Sequence, residues 1–107
     1  MNRVPSEPDA LYAAAVVLWG ERRHEEAIRL IDEALRRRPD FANALCMGGY
    51  MLSQFGKPEP ALRVYRRALE LDASLVVAHL NVGKVLFSAG RFAEALCSFE
   101  AATALGA

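Results

Sequence analysis

The strongest constraint on the fold of this chain is an internal repeat with a period of 34 residues. Ala27, Ala61 and Ala95 lie at that interval, and each stands inside a segment that is similar to the other two. The three segments are Glu25-Glu26-Ala27-Ile28, Glu59-Pro60-Ala61-Leu62 and Ala93-Glu94-Ala95-Leu96. A fixed period of this length is typical of stacked supersecondary units, so it predicts a repeat protein.

Each unit contains two amphipathic stretches joined by a short turn. The first stretch has a small residue at one repeating position, which is Ala15, Gly49 or Gly83. The second has a large apolar residue at another, which is Ile31, Tyr65 or Phe99. Apolar spacings of three and four predict helices. We place the first helices at about 8–20, 42–54 and 76–88, and the second helices at about 24–37, 58–71 and 92–105.

Residues that start and stop helices agree with these boundaries. Ser6 is predicted to cap the first helix, with Pro8 in its opening turn. Gly56 and Gly90 fall in the turns of units two and three, while unit one has Arg22 at the corresponding position. This difference is expected to loosen the joint of unit one without threatening the fold.

This arrangement resembles the tetratricopeptide repeat, a helix-turn-helix unit with alternating small and large packing positions. The resemblance covers residues 8 to 107. It implies an all-α fold, a right-handed α-solenoid of three helix-turn-helix repeats with six helices. We predict one domain over 1–107, with repeats at about 8–41, 42–75 and 76–107.

Charge and cysteine content restrict the partners and the compartment. Thirteen basic residues balance thirteen acidic ones, so no long-range field attracts nucleic acid or anionic lipid. The start of the chain lacks the pattern of a signal peptide, and the apolar run Ala10 to Trp19 is too short to span a bilayer. With only Cys46 and Cys97, a disulfide framework is not expected. We predict a cytoplasmic protein that binds neither nucleic acid nor membrane.

One basic strip needs a separate interpretation. It consists of Arg36, Arg37, Arg38, Arg63, Arg66 and Arg67. A phosphate-binding strip is one possibility. However, Glu33 and Glu70 lie within a helical turn of these arginines, which favours a solvated face with ion pairs.

The resemblance implies that first helices line the concave side of the stack, where the family binds partners. On that side the sequence predicts an apolar and aromatic groove for an extended peptide or an apolar-faced helix. Its predicted residues are Tyr12, Val16, Trp19, Cys46, Met47, Tyr50, Gln54, Leu80, Asn81, Lys84 and Phe87, with Asn43 and Ser53 on the same face. The alternative is that these rings are core, but the leucines of the first helices already occupy the core positions.

Some members of the family bind a terminal carboxylate with lysine, arginine and asparagine on these inner faces. Only Asn81 and Lys84 match that chemistry here, and unit one offers Tyr12 and Val16 instead. The sequence therefore does not favour a carboxylate receptor.

Catalysis is not expected within this chain. His24, His79, Cys46 and Cys97 form no close set of metal ligands and no activated nucleophile. The pair Gly48-Gly49 lies inside a helix and does not form a phosphate-binding loop. We predict no enzyme activity, no metal and no cofactor.

The outward face of the last helix is less polar than that of the other second helices. Its residues include Cys97, Ala101 and Ala104, whereas a terminal unit is expected to be polar. This predicts self-association, further repeats or a following domain at the C-terminal helix. The leading function is a protein-interaction scaffold. The alternatives are the non-catalytic repeat region of a larger enzyme such as a transferase, and a small secretion chaperone like those of bacteria.

Overall fold

The computed structural model describes residues 7–106, and in that range it contains six helices and no strand. The helices are α1 (Glu7–Gly20), α2 (His24–Arg37), α3 (Ala42–Gln54), α4 (Pro58–Leu71), α5 (Val76–Ser88) and α6 (Phe92–Ala104). The six predicted helices are confirmed. Their bounds agree with the prediction except that α1 begins one residue earlier and α6 ends one residue earlier. The predicted cap at Ser6 lies outside the described residues.

Consecutive helices pair into three antiparallel hairpins, which we call units one, two and three. The first helix of each following unit packs on the second helix of the unit before it, so α3 contacts α2 and α5 contacts α4. The result is an elongated stack of 46 × 30 × 22 Å. An all-α solenoid of three helix-turn-helix repeats is therefore confirmed.

A small residue on the first helix meets a large one on the second in every unit. A Cβ atom on Gly49 would lie 3.0 Å from the ring of Tyr65, and one on Gly83 would lie 2.5 Å from the ring of Phe99. Unit one has Ala15 at this position and the slimmer Ile31 opposite. The close approach of the paired helices therefore requires glycine wherever the facing residue is aromatic.

The turn inside each unit has the same hydrogen bonds. A backbone N–H in the turn donates to the carbonyl of the residue five positions earlier, at the end of the first helix, as in Arg23 to Leu18 at 2.9 Å and Arg91 to Leu86 at 2.9 Å. Each turn also contains one residue with positive φ, which is Arg22 (64°), Gly56 (72°) or Gly90 (79°). Because a residue with a Cβ atom is strained at positive φ, the turn of unit one, which contains Arg22, is the most strained of the three turns.

The core lies at the two junctions between units. Ile31, Phe41, Ala44 and Met51 are buried together between units one and two. Tyr65 and Ala78 form the corresponding cluster between units two and three, next to a cluster around Leu62, Leu86 and Ala95. Among the described residues, no helix is long and apolar enough to cross a membrane.

Candidate functional site

The face made by the first helices contains a cavity of about 520 Å³. It opens where α1, α3 and α5 come together with the loop that precedes α5. Its lining residues are Tyr12, Asn43, Cys46, Met47, Tyr50, Ser74, Leu75, Val76, Val77 and Asn81. We call this space the groove cavity. Because all three units contribute to it, its shape depends on the stacking of the whole chain.

The two tyrosines of the groove cavity are held by other rings. Tyr12 packs against Phe41, with ring centroids 5.3 Å apart, and Tyr50 meets the edge of Trp19 at 5.9 Å. Both tyrosines are half-buried, so each is partly core and partly exposed to the cavity. Such rings form a preorganised surface, because little side-chain entropy remains to be lost on binding.

The groove cavity carries no formal charge. None of its lining residues is an aspartate, glutamate, lysine or arginine. Burial raises the pKa of the Cys46 thiol, and burial together with the nearby Cys46 raises the pKa of Tyr12. Both groups are therefore uncharged at neutral pH, and Cys46 lacks the thiolate character of a nucleophile. The cavity suits uncharged groups, and its polar atoms are amides and hydroxyls.

Tyr65 lies fully buried near this cavity, close to Cys46, Tyr50 and Asn81. Burial is the main cause that raises the pKa of its phenol well above the ordinary value of 10.0. The side chains of Asn81 and Ser53 lie close enough to its hydroxyl to oppose this rise in the pKa, but neither makes a hydrogen bond of good geometry with it in the part of the chain that the structure describes. A buried hydroxyl of this kind is destabilising, so Tyr65 contributes through its ring and not through its polar end.

Trp19 does not line the groove cavity. Its ring stacks on His24 with centroids 4.0 Å apart, and Phe55 approaches its edge at 6.0 Å. These three rings surround a separate space of about 350 Å³ beside Arg22 and Gln54. Trp19 therefore closes the junction between units one and two.

The other predicted groove residues are divided among several places. Gln54 and Lys84 line a third recess of about 350 Å³ between units two and three, together with Ser53. Val16, Leu80 and Phe87 lie outside these three spaces. Five of the predicted residues do come together in the groove cavity, and they are Tyr12, Cys46, Met47, Tyr50 and Asn81; Asn43, predicted on the same face, also lines it.

Four residues of the groove cavity were not predicted: Ser74, Leu75, Val76 and Val77. They belong to the loop between units two and three and to the first turn of α5. The prediction considered only the inner faces of the first helices. The consecutive valines Val76 and Val77 at the start of α5 are the sequence signal that could have identified them, and in the structure Val77 is 61% exposed while Val76 is half-buried.

Several arginines of the basic strip are ion-paired. Glu33 accepts hydrogen bonds from Arg36 at 2.6 Å and Arg37 at 2.7 Å, and Arg37 also pairs with Glu7. The Arg37 hydrogen bond lowers the pKa of Glu33. Arg38 pairs with Asp9 at 3.0 Å and lies over the ring of Phe41. At this end of the strip the charges are thus largely compensated within the protein.

The described residues contain no group of three or more histidines, cysteines, aspartates or glutamates placed to hold a metal ion. Cys46 is half-buried in the groove cavity, whereas Cys97 is exposed on α6. His79 instead forms a hydrogen bond between its Nε2 and the backbone carbonyl of Ala73 at 2.9 Å. The histidine thus has a structural role in the loop before α5.

Comparison with known proteins gives a consistent result. A family model described as tetratricopeptide repeat matches residues 1–45 and 46–107. The human protein O-mannosyl-transferase TMTC3 is 41% identical over 64% of this chain and 8% of its own length. Mouse anaphase-promoting complex subunit 7 is 30% identical over 86% of this chain and 16% of its own length. The chain thus spans less than a fifth of either curated relative.

Two solved structures have the same fold. The crystal structure of MamA has a TM-score of 0.84 at 18% identity, covering 94% of this chain and 58% of that one. The type III secretion translocator chaperone SycD of Yersinia enterocolitica, in an alternative dimer, has a TM-score of 0.86 at 17% identity. That match covers 95% of this chain and 77% of SycD. At these identities the similarity concerns the fold alone.

Proposed function

Because the chain belongs to the tetratricopeptide repeat family, we propose that it is an interaction scaffold whose groove cavity binds an extended segment of a partner protein. The family and the fold of its neighbours support a protein-interaction scaffold in general. The assignment of the groove cavity as the binding surface is the specific part of the proposal.

The observation that carries the proposal is the uncharged cavity of about 520 Å³ formed by all three first helices. Tyr12, Met47 and Tyr50 offer apolar surface on one side, and Val76 and Val77 offer it on the other. A space of this size accommodates one large apolar side chain of a peptide. Transfer of that side chain from water supplies the main favourable free energy.

The polar residues of the cavity favour an extended peptide over a helix. Asn43 and Asn81 line the same space from α3 and α5, and each amide can donate and accept hydrogen bonds. An extended peptide has free backbone N–H and C=O groups for these amides, whereas a helix pairs its own. With one apolar anchor and a few hydrogen bonds, we expect a dissociation constant in the micromolar range, about −8 kcal/mol.

The test uses a displayed library of random peptides selected on the 107-residue chain. A selected peptide is then synthesised and titrated by calorimetry against the wild type and Val77→Lys. Val77 is exposed at the rim of the groove cavity, so the substitution places a charge there without removing core contacts. We expect at least about tenfold weaker binding, because an unpaired charge must be desolvated on contact with the apolar anchor.

Leu71→Lys is the matched control. Leu71 is an exposed residue at the end of α4 and does not line the groove cavity, so this variant should bind the peptide like the wild type. Equal affinities for wild type and Val77→Lys, or selection of peptides with no apolar residue in common, would show that the groove cavity is not the binding surface.

A second candidate function is favoured by the similarity to the transferase TMTC3, which covers only a small part of that protein. In this alternative the chain is a repeat region that recruits protein substrate for a catalytic domain elsewhere, and these residues still bind and do not catalyse. A small chaperone is the third candidate, and the fold of SycD is the related observation. We further propose a cytoplasmic location, no cofactor, and no binding to nucleic acid or membrane.

A further inference from the structure

Each of the two internal junctions contains a recess of about 350 Å³ beside the turn of the earlier unit. The first recess lies between units one and two, and the second, which we call the lysine recess, lies between units two and three. The two spaces occupy the same place in the repeat. All six residues that line the first recess have an equivalent 34 positions later that lines the lysine recess, namely Ser53, Gln54, Gly56, Pro58, Ser88 and Ala89.

The chemistry of the two recesses is different. In the first, Trp19, His24 and Phe55 contact one another across the junction. None of their three equivalents in the lysine recess is aromatic. Lys84 stands at the position equivalent to Tyr50, whose ring meets the edge of Trp19 at 5.9 Å. Four rings of one junction thus correspond to a serine, a proline, an alanine and a lysine at the other, so the polar lining is not required by the stacking of units.

The lysine recess offers hydrogen-bond donors that the protein itself does not use. Lys84 is exposed, and its ammonium group has no ion pair with residues 7–106. The side chains of Gln54 and Ser88 also make no hydrogen bond in that range. Ser53 is already engaged, because its hydroxyl donates to the backbone carbonyl of Tyr50 at 2.7 Å. Three donors therefore remain for an acceptor from outside.

The charge around the recess favours a single negative charge. Lys84 is the only lysine, arginine, aspartate or glutamate on the flanking helices α3 and α5. On α2, by contrast, Arg36 and Arg37 have a carboxylate within a helical turn. An unpaired ammonium group beside an uncharged groove attracts a carboxylate and repels a cation. One carboxylate balances this charge, whereas a phosphate with nearly two charges would not be balanced.

We propose that the lysine recess binds the carboxylate of an aspartate or glutamate in the same extended peptide whose apolar anchor fills the groove cavity. The inference rests on the proposed function and adds the charge of the partner to it. Lys84 supplies the opposite charge, and the amide of Gln54 and the hydroxyl of Ser88 donate to the carboxylate oxygens.

The distance between the two spaces fixes the spacing within the peptide. Val77 of the groove cavity and Lys84 of the lysine recess lie seven residues apart on α5, and Met47 and Gln54 lie seven apart on α3. Seven residues of helix rise about 10 Å, which is the length of about three residues of extended chain. The acidic residue should therefore lie about two to four residues from the apolar anchor.

The first test repeats the library selection on the wild type and on Lys84→Glu. Wild-type selections should contain an acidic residue at the stated distance from the anchor, and the variant should select lysine or arginine there instead. The peptides are displayed as fusions at their C-terminus, so no terminal carboxylate is offered. Because Lys84 is exposed, the variant should keep the helical circular dichroism of the wild type.

The second test measures affinities by calorimetry. One selected acidic peptide is synthesised with an amidated C-terminus, together with a charge-swapped peptide that carries lysine in place of its acid. Lys84→Glu should bind the acidic peptide at least about tenfold more weakly than the wild type does. It should also bind the charge-swapped peptide more tightly than the wild type does. This rescue separates direct pairing from a structural effect of the substitution.

Two further variants complete the set. Arg67→Glu changes the net charge by the same amount on the exposed face of α4 and lines none of the recesses described, so it should bind both peptides like the wild type. Val77→Ser removes apolar surface at the rim of the groove cavity without adding a charge. It should weaken both peptides by the same factor, because both carry the anchor.

The outcomes distinguish the two proposals. Selected peptides that share an apolar residue but no acid, or equal affinity of wild type and Lys84→Glu for the acidic peptide, would overturn the lysine recess. Weaker binding to Val77→Ser would then still support the groove cavity. A successful charge swap without an effect of Val77→Ser would retain the lysine recess and remove the groove cavity. Binding that requires a free C-terminus would identify the chain end as the ligand and overturn the role of an acidic side chain.

Discussion

Units two and three have the same backbone but different surroundings. Unit two is covered by a neighbour on both sides, and its Leu62 and Tyr65 are inaccessible to solvent. Unit three is covered on one side, and the equivalent Leu96 and Phe99 are exposed or half-buried. The difference teaches that a position in a repeat has no fixed energetic value, because its contribution depends on whether the next unit is present.

The largest expected difference concerns the equivalent leucines. Leu62→Ala removes a buried side chain at the second junction, so we expect a loss of about 3 kcal/mol in the free energy of unfolding. Leu96→Ala, measured at concentrations where the chain is monomeric, should cost about 0.5 kcal/mol or less. Urea denaturation followed by circular dichroism measures both. Equal losses would mean that the end of the stack is covered even in the monomer.

The next largest effect concerns the glycines that face aromatic rings. Gly49→Val should cost about 2 kcal/mol, because Tyr65 is fully buried and its ring cannot move away from the added methyl groups. Gly83→Val should cost less, although the clash begins closer, because Phe99 can move toward the uncovered end. Thermal unfolding of the two variants shows which one loses more stability. A greater loss for Gly83→Val would show that the last hairpin is as rigid as the middle one.

The third prediction replaces Tyr65 of unit two with phenylalanine, which is the residue at the equivalent position of unit three, Phe99. Tyr65→Phe removes a buried hydroxyl that lacks a partner among the described residues, so stability at neutral pH should rise by about 1 kcal/mol. The raised pKa of Tyr65 also sets a pH dependence. Since the folded chain holds this proton more tightly than the unfolded chain, stability is fully present below pH 10.0 and falls as the pH rises above it.

The wild type should therefore lose stability above that pH, and Tyr65→Phe should lose less. Urea midpoints at neutral pH and in alkaline buffer provide the comparison, with Tyr50→Phe as the control for a tyrosine that is only half-buried. If wild type and Tyr65→Phe lose the same amount of stability in alkaline buffer, a group other than Tyr65 is responsible for the pH dependence.

The smallest effect extends the comparison to unit one. Arg22 has a φ of 64° in the turn where units two and three use glycine. Arg22→Gly relieves this strain but increases the entropy of the unfolded chain, so the net gain should be about 0.5 kcal/mol. Gly90→Arg, the reverse change in unit three, should lose a similar amount. Differential scanning calorimetry measures the change in unfolding temperature of each variant. A loss of stability in both variants would indicate that Arg22 makes a stabilising contact in its turn.

The helices were predictable because the repeat supplied three independent observations of every boundary. A start at His24, for example, is supported by the equivalent starts at Pro58 and Phe92. The small and large packing positions were predictable for the same reason. The period says which residues are equivalent, and equivalent residues in stacked units make equivalent contacts.

Only some of the residues predicted to line the groove meet in the groove cavity. Tyr12, Met47 and Tyr50 face it from the first helices, whereas Trp19 packs at the junction between units one and two and Phe87 contacts Phe92 on unit three. Whether an inner residue meets solvent or the next unit depends on the angle at which hairpins cross. That angle is a property of the packed stack and has no signature in one helix.

The C-terminal end gives a similar lesson. The prediction of self-association, further repeats or a following domain placed the contact on Cys97, Ala101 and Ala104, because these residues weaken the polar face of α6. Cys97 and Ala104 are exposed and Ala101 is half-buried, but the large apolar side chains lie on a different face, at Leu96 and Phe92. Comparing Leu96 with Leu62 through the period would have identified that face from the sequence.

The one-sided cover of α6 also bears on how long the protein lasts in a cell. The last described hairpin has a neighbouring unit on one side only, so we expect it to open more often than the middle one and to be the more accessible of the two to proteases.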